Sequence, residues 1–176
     1  DLYHDALMEK DGGLTKAERE MIVVATSSAN QCQYCVIAHG AILRIRAKNP
    51  LIADQIAINY RKADITPRQR AMLDFAMKVA LEAQAVDDAD FKTLASHGFS
   101  DDDIWDITAI AAFFAEEHNE KVIDGLLAAG VEPQSNGAPS RRFVDTLTLA
   151  NCLSSAKTLG MPLSGVGTKT LETLGR

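Results

Sequence analysis

The sequence predicts an all-α fold of about six to eight helices, and three observations predict it. Apolar residues recur every three to four positions along nearly the whole chain. Alternating runs of β-branched residues bounded by turn residues are absent. A Ser, Thr or Asp with a side-chain acceptor three residues later recurs where apolar periodicity begins, which is how helix N-termini satisfy their unpaired N–H groups. At 176 residues, 47% hydrophobic and 24% charged, the chain can bury one main core.

Thr15 with Glu18 reads as a capping box, opening a helix through Ile22, Val23 and Thr26 to about Ala29. Asn30 and Gln31 interrupt it. A second helix starts between Asn30 and Cys32, carries Cys35, Ile37, Ala38, Ile42 and Ile45, and runs toward Lys48. Asn49 and Pro50, a cap followed by proline in the first turn, open a third to about Arg61. Thr66, Pro67 and Gln69 start a helix through Met72, Phe75, Ala76 and Val79 to about Ala83. Asp87 caps the next, which ends at Gly98. Ser100 with Asp103 opens a long helix with Trp105, Ile110, Phe113 and Phe114, expected to stop at Gly130 with a candidate break near Asn119. Leu14 to Ala25 echoes Ile65 to Ala76, matching Thr15 to Thr66, Glu18 to Gln69, Arg19 to Arg70 and Met21 to Met72, which suggests two related helical hairpins.

Past Pro133 the composition changes. Residues 1–133 read as the helical domain and 134–176 as a C-terminal extension. Gln134 to Ser140 is a polar linker; Phe143, Leu147, Ala150, Leu153 and Ala156 fit one short amphipathic helix, ended by Gly160 and Pro162. The extension carries a net charge of +3 against -9 for the rest, and no function is assigned to it.

A net charge of -6 argues against nucleic acid or an anionic membrane as the main partner, because phosphate binding needs an excess of Lys and Arg. A small molecule or a protein is the expected partner. No apolar run approaches the length of a membrane span, and no basic segment precedes an apolar one near Asp1, so neither span nor signal peptide is expected and the chain is expected in the cytoplasm. That expectation concerns only the residues given, since the chain begins without a methionine.

Three cysteines, two of them in Cys32-Gln33-Tyr34-Cys35, do not make a secreted disulfide framework, so the close pair reads as redox chemistry or metal. Near a helix start both sulfurs lie within disulfide reach, and the helix dipole favours thiolate at the first cysteine. His39 follows Cys35 by four residues and Cys32 by seven, so the three side chains share one helical face and an imidazole there can take a thiol proton. Glu20 sits on the preceding helix beside Met21, Ile22, Val23 and Val24; facing inward it can orient that histidine, and on a solvated face it would pair with Arg19 or Lys16. Two rival readings stand beside this one. The cysteines can be inert buried thiols. They can also join His39 and Glu20 as zinc ligands, although structural zinc usually recruits a second Cys or His pair and none is evident.

Glu20, an eleven-residue gap and then Cys32-x-x-Cys35-x-x-x-His39 resemble the alkylhydroperoxidase D (AhpD)-like branch of the carboxymuconolactone decarboxylase family. Cys-x-Tyr-Cys-x-x-x-His-Gly, with Pro67-Arg68-x-Arg70 before a helix, is most similar to its peroxidase-related group, and the resemblance runs from about Leu2 to Val131. It implies an AhpD-like helical redox domain over 1–133 and a homo-oligomer, as dimer, trimer or hexamer. It further implies hydroperoxide reduction through the dithiol with no metal, haem or other cofactor, and an external dithiol reductant or carrier protein. By position Glu20, Cys32, Cys35 and His39 match the motif, in which Glu20 and His39 relay the proton from Cys35, its thiolate attacks the peroxide to give a sulfenic acid, and Cys32 resolves this as a disulfide. Dipole reasoning instead favours Cys32 as nucleophile; the spacing to His39 inclines the reading to Cys35. Tyr34 departs from the pattern, since the best-known members carry a second histidine there, and it is the candidate substrate-binding residue, able to donate a hydrogen bond to the peroxide or simply to pack.

The expected function is therefore a thiol-dependent peroxidase, with a general protein or small-molecule disulfide reductase as alternative. A noncatalytic redox-sensing or zinc-binding module is the alternative from another class. Lactone decarboxylation, the family's other chemistry, does not call for the dithiol. Cys152 reads as an unreactive thiol, Glu116, Glu117 and His118 as a solvated face, and His4 and His97 as carrying no constellation. Tyr3, Met8, Phe75, Met77, Phe91, Trp105, Phe113 and Phe114 read as core or subunit contact, and Asp101 to Asp103 as helix-start acids.

Overall fold

Six α-helices follow one another in the computed structural model, which describes residues 7–128, with side chains through residue 114. They are α1 (Lys16–Ala29), α2 (Gln33–Ala47), α3 (Ile52–Asn59), α4 (Pro67–Glu82), α5 (Asp88–Ser96) and α6 (Asp101–Ala128), with single 3-10 turns at Tyr60–Lys62 and Ala83–Ala85. The linker and short helix expected in 134–176, together with Cys152, His4, Tyr3 and the side chains of Glu116, Glu117 and His118, lie outside the described residues. No described helix is long and apolar enough to cross a membrane.

Local chemistry sets most boundaries. Thr15 with Glu18, Thr66 with Gln69 and Asp87 with Asp90 form reciprocal capping boxes at the starts of α1, α4 and α5, and Pro67 takes the first position of α4, where a missing N–H costs nothing. Ser100 and Asp103 exchange the same bonds before α6. Two expectations are corrected. Asn49 does not cap α3: its Oδ1 accepts the Leu51 N–H at 3.0 Å, closing a turn through Pro50, and the helix begins at Ile52. Near Asn119 there is no break, because α6 continues unbroken to Ala128.

Helix α1 is the axis of the fold. It packs on α2, α3, α4 and α6, and every residue from Glu18 to Ser27 is buried. Its apolar residues Met21 to Ala25 join Met72, Leu73, Ala76 and Val79 of α4 and Ile104, Ile107, Ile110 and Ala111 of α6 in one core. The echo between α1 and α4 has a structural counterpart, since Met21, Ile22 and Ala25 and their counterparts Met72, Leu73 and Ala76 are all buried. Glu18, Arg19 and Glu20 are three consecutive charges inside the molecule. Successive helical residues point about 100° apart, so each meets a different neighbour. Glu18 receives Arg68 of α4 at 2.7 Å, Arg19 binds Asp106 of α6 at 2.9 Å, and Glu20 faces α2. A buried charge is tolerated when paired, and here the pairs join α1 to α4, α6 and α2 in turn.

Candidate active site

The turn from α1 to α2 builds the cysteine pair. The Cys32 N–H bonds Ser27 O at 2.9 Å and the Gln31 N–H bonds Ser28 O at 3.0 Å, a Schellman ending with Gln31 in the left-handed region at φ 59°. Cys32, pinned by the end of α1, is also the N-cap of α2: its Sγ accepts the Cys35 N–H at 3.3 Å. Cys32 and Cys35 are joined as a disulfide with their Cα atoms 5.4 Å apart, and both are buried. The oxidised pair thus occupies the N-terminal turn expected from the sequence.

His39 lies one turn further along α2. Its Nδ1 is 2.8 Å from Oε2 of Glu20, whose side chain is 1% exposed, so of the two expected settings for Glu20 the inward one is observed. Neither solvated partner is used: Arg19 binds Asp106, and Lys16 reaches Glu9 at 2.7 Å. Phe114 of α6 sets its ring edge-on to the imidazole, with centroids 4.9 Å apart, and walls that side of the histidine. An imidazole bonded to a carboxylate through Nδ1 has one nitrogen committed and exchanges protons through the other, the orientation a general base needs.

Arg46 is the site residue that sequence reasoning missed. Its Nη1 stands 3.3 Å from the second Glu20 oxygen, and Nη2 pairs with Glu9. Bonds from Lys16 and Arg46 hold the Glu9 carboxyl at about 2, and Glu9 is at the surface. The signal was present in the register: Cys32, Cys35, His39 and Arg46 continue one face of α2 at steps of three, four and seven. Tyr34 is 74% exposed, on the outside of the turn that carries the cysteines. His97 is remote from this constellation and binds Thr93 O through Nδ1 at 2.9 Å. Among the described residues no group of three or more His, Cys, Asp or Glu is arranged to hold a metal ion.

Residues 1–57, which include Glu9, Glu20, Cys32, Cys35, His39 and Arg46, match the model of the carboxymuconolactone decarboxylase family. An uncharacterised peroxidase-related protein from Ralstonia eutropha JMP134, described as an alkylhydroperoxidase AhpD core, shares 58% identity and a TM-score of 0.64 over 81% of this chain and 70% of its own. A second, an uncharacterised peroxidase-related protein from Silicibacter sp. TM1040, shares 39% identity and a TM-score of 0.65 over 76% of this chain and 68% of its own. A 61-residue stretch is 64% identical to a DNA ligase from Alcanivorax borkumensis; that match takes in 35% of this chain and only 8% of the ligase.

Proposed function

The chain belongs to the carboxymuconolactone decarboxylase family, in its AhpD-like, peroxidase-related branch, and from that premise we propose that it is a thiol-dependent peroxidase working through a Cys32/Cys35 dithiol–disulfide cycle. The observation that carries the reading is the 2.8 Å bond between His39 and the buried Glu20, on the same helix face as a disulfide-paired Cys32 and Cys35.

In the reduced enzyme His39, oriented through Nδ1 by Glu20, takes the Cys35 thiol proton. The sulfur attacks one peroxide oxygen: an S–O bond forms, the O–O bond breaks, two electrons pass from sulfur to peroxide, and the alkoxide leaves as an alcohol with the proton held by His39. Cys32 then displaces the sulfenic hydroxyl, which departs with the Cys32 proton as water, and the disulfide forms. An external dithiol, small molecule or carrier protein, restores the pair by exchange and is itself oxidised. The i, i+4 register with His39 supports Cys35 as the attacking sulfur; the Cys35 N–H donated to Cys32 Sγ supports the reverse order. Trapping sulfenate by mass spectrometry in Cys32→Ser and Cys35→Ser after one equivalent of peroxide decides between them, and sulfenate on Cys32 alone reverses the assignment.

A general disulfide reductase is the second reading, favoured by Tyr34 and Ile37, which expose apolar surface on the cysteine-bearing turn to a docked partner. Ile45 on α2 and Leu51 and Ile58 around α3 are also exposed apolar residues, which supports self-association of the chain. Steady-state turnover of hydroperoxides with a panel of dithiol reductants, with Cys32→Ser as control, tests the proposal. No peroxide turnover with any reductant refutes it, and turnover of disulfides alone selects the second reading. One zinc per chain with blocked thiols would select the noncatalytic module.

A further inference from the structure

A line of alternating charge runs from solvent to the proposed base: Lys16, Glu9, Arg46, Glu20, His39. Side-chain exposure falls along it from 50% and 42% at Lys16 and Glu9, through 22% at Arg46, to 1% at Glu20. Glu20 is thus the deepest anion of the line. Carboxylates taken from water need a counter-charge and filled lone pairs, and the guanidinium is the group that meets the oxygen His39 does not use. Arg46 grips two carboxylates and also points Nη1 at Lys16 O, 3.5 Å away, so its plane is fixed from α1 and from the segment before it. A lysine ammonium offers no such planar fork.

We propose that Arg46 is a positioning residue of the dithiol site: by holding one Glu20 oxygen against the Glu9 anchor, it fixes the carboxylate so that the other oxygen keeps the Nδ1–H tautomer of His39. The inference rests on the reading of His39 as base, and it extends the catalytic unit from two helices to the segment preceding α1. Breaking the clamp frees Glu20 to rotate, the imidazole samples both tautomers, and proton removal from Cys35 slows. Misplacement of about 1 Å in a reacting group is worth up to roughly 100-fold in rate, which sets the scale.

The test separates this inference from the identity of the oxidant. Nitrogen-15 NMR of the His39 imidazole in the reduced full-length chain reads the tautomer, and the rate of Cys35 alkylation by iodoacetamide reads thiol activation whether or not peroxide is the substrate. In Arg46→Met the Nδ1–H preference is lost and alkylation slows by roughly 10- to 100-fold, while Arg46→Lys recovers part of both. Arg44→Met, which removes the neighbouring pair with Asp54 on the outside of α2, keeps wild-type behaviour. An unchanged tautomer and rate in Arg46→Met overturns the proposal, as does an equal loss in Arg44→Met. Should Arg46→Met not fold, Glu9→Gln at the exposed end carries the test: a weakened Nδ1–H preference supports the clamp and a wild-type spectrum overturns it.

Discussion

In Asp106→Ala the guanidinium of Arg19 keeps its bond to Leu7 O at 2.8 Å and loses the one carboxylate it meets among the described residues, the Asp106 oxygen at 2.9 Å. The Arg19 side chain is fully buried, so the variant leaves its guanidinium as an uncompensated charge inside the molecule. Lys10, the other partner of Asp106, is 36% exposed and turns to solvent at little cost. An intact buried pair is worth little net, because desolvation offsets attraction; one orphaned member costs about 3–5 kcal/mol. Against a total folding stability of about 5–15 kcal/mol that is a large share. With a urea dependence near 2 kcal/mol per molar, the midpoint falls by about 1.5–2.5 M. Urea unfolding followed by far-ultraviolet circular dichroism measures it, and Arg19→Met with Asp106→Leu recovers most of the loss, since well-packed apolar replacements of buried pairs are often neutral. A loss below about 1 kcal/mol, or a double variant no better than the single one, refutes the reasoning. The site would register the change too, because this pair ties α1, which carries Glu20, to α6, which carries Phe114.

Gly13→Ala places a methyl group 2.6 Å from Cγ of Asp103, whose carboxylate accepts both the N–H and the hydroxyl of Ser100; displacing it removes the α6 cap, with an expected loss of about 1–3 kcal/mol and a melting temperature lower by about 2–4 °C for each. An unaltered melting temperature would show that Asp103 moves without penalty. Gln31→Gly relieves the left-handed backbone at φ 59° and raises stability by about 0.5–1 kcal/mol after the added freedom of the unfolded chain is counted; a lower urea midpoint would contradict this. Tyr60 is pushed above the usual phenol range by burial and then by its bond to Asp74 at 2.7 Å. The unfolded chain releases that proton from about pH 10 while the folded one retains it, so stability is unaffected by Tyr60 below pH 10 and falls as pH rises beyond it. Native Tyr60→Phe should therefore match the wild-type phenolate absorbance up to the unfolding pH, and a missing native phenolate step in the variant would disprove it.

Helix starts are legible in this sequence because a cap is a contact between residues three apart: Thr15, Thr66, Asp87 and Ser100 need nothing from the rest of the molecule. Gly98 ends α5 as read, since its φ of 81° suits glycine, whereas the equivalent ending at Gln31 shows only as an interruption because glutamine does not advertise that backbone. Asn49 misleads because its oxygen can close a turn as readily as cap a helix. Cys32, Cys35 and His39 are legible from spacing on one helix. The inward face of Glu20 is not, for its neighbours Glu18 and Arg19 are equally buried and point elsewhere; the partner that distinguishes it belongs to α2 and exists only once the helices pack.

The cysteine bond closes a ring of only four residues, Cys32 to Cys35. Loop-closure entropy grows with ring size, and so short a ring restricts the unfolded chain by about 2 kcal/mol, against nearly 5 for a ring of a hundred residues. Its backbone is already held by the Ser27 carbonyl, independently of sulfur. Opening the bond therefore costs about 2 kcal/mol of a folding stability of about 5–15 kcal/mol, so a pair with so short a ring can be reduced while the chain stays folded.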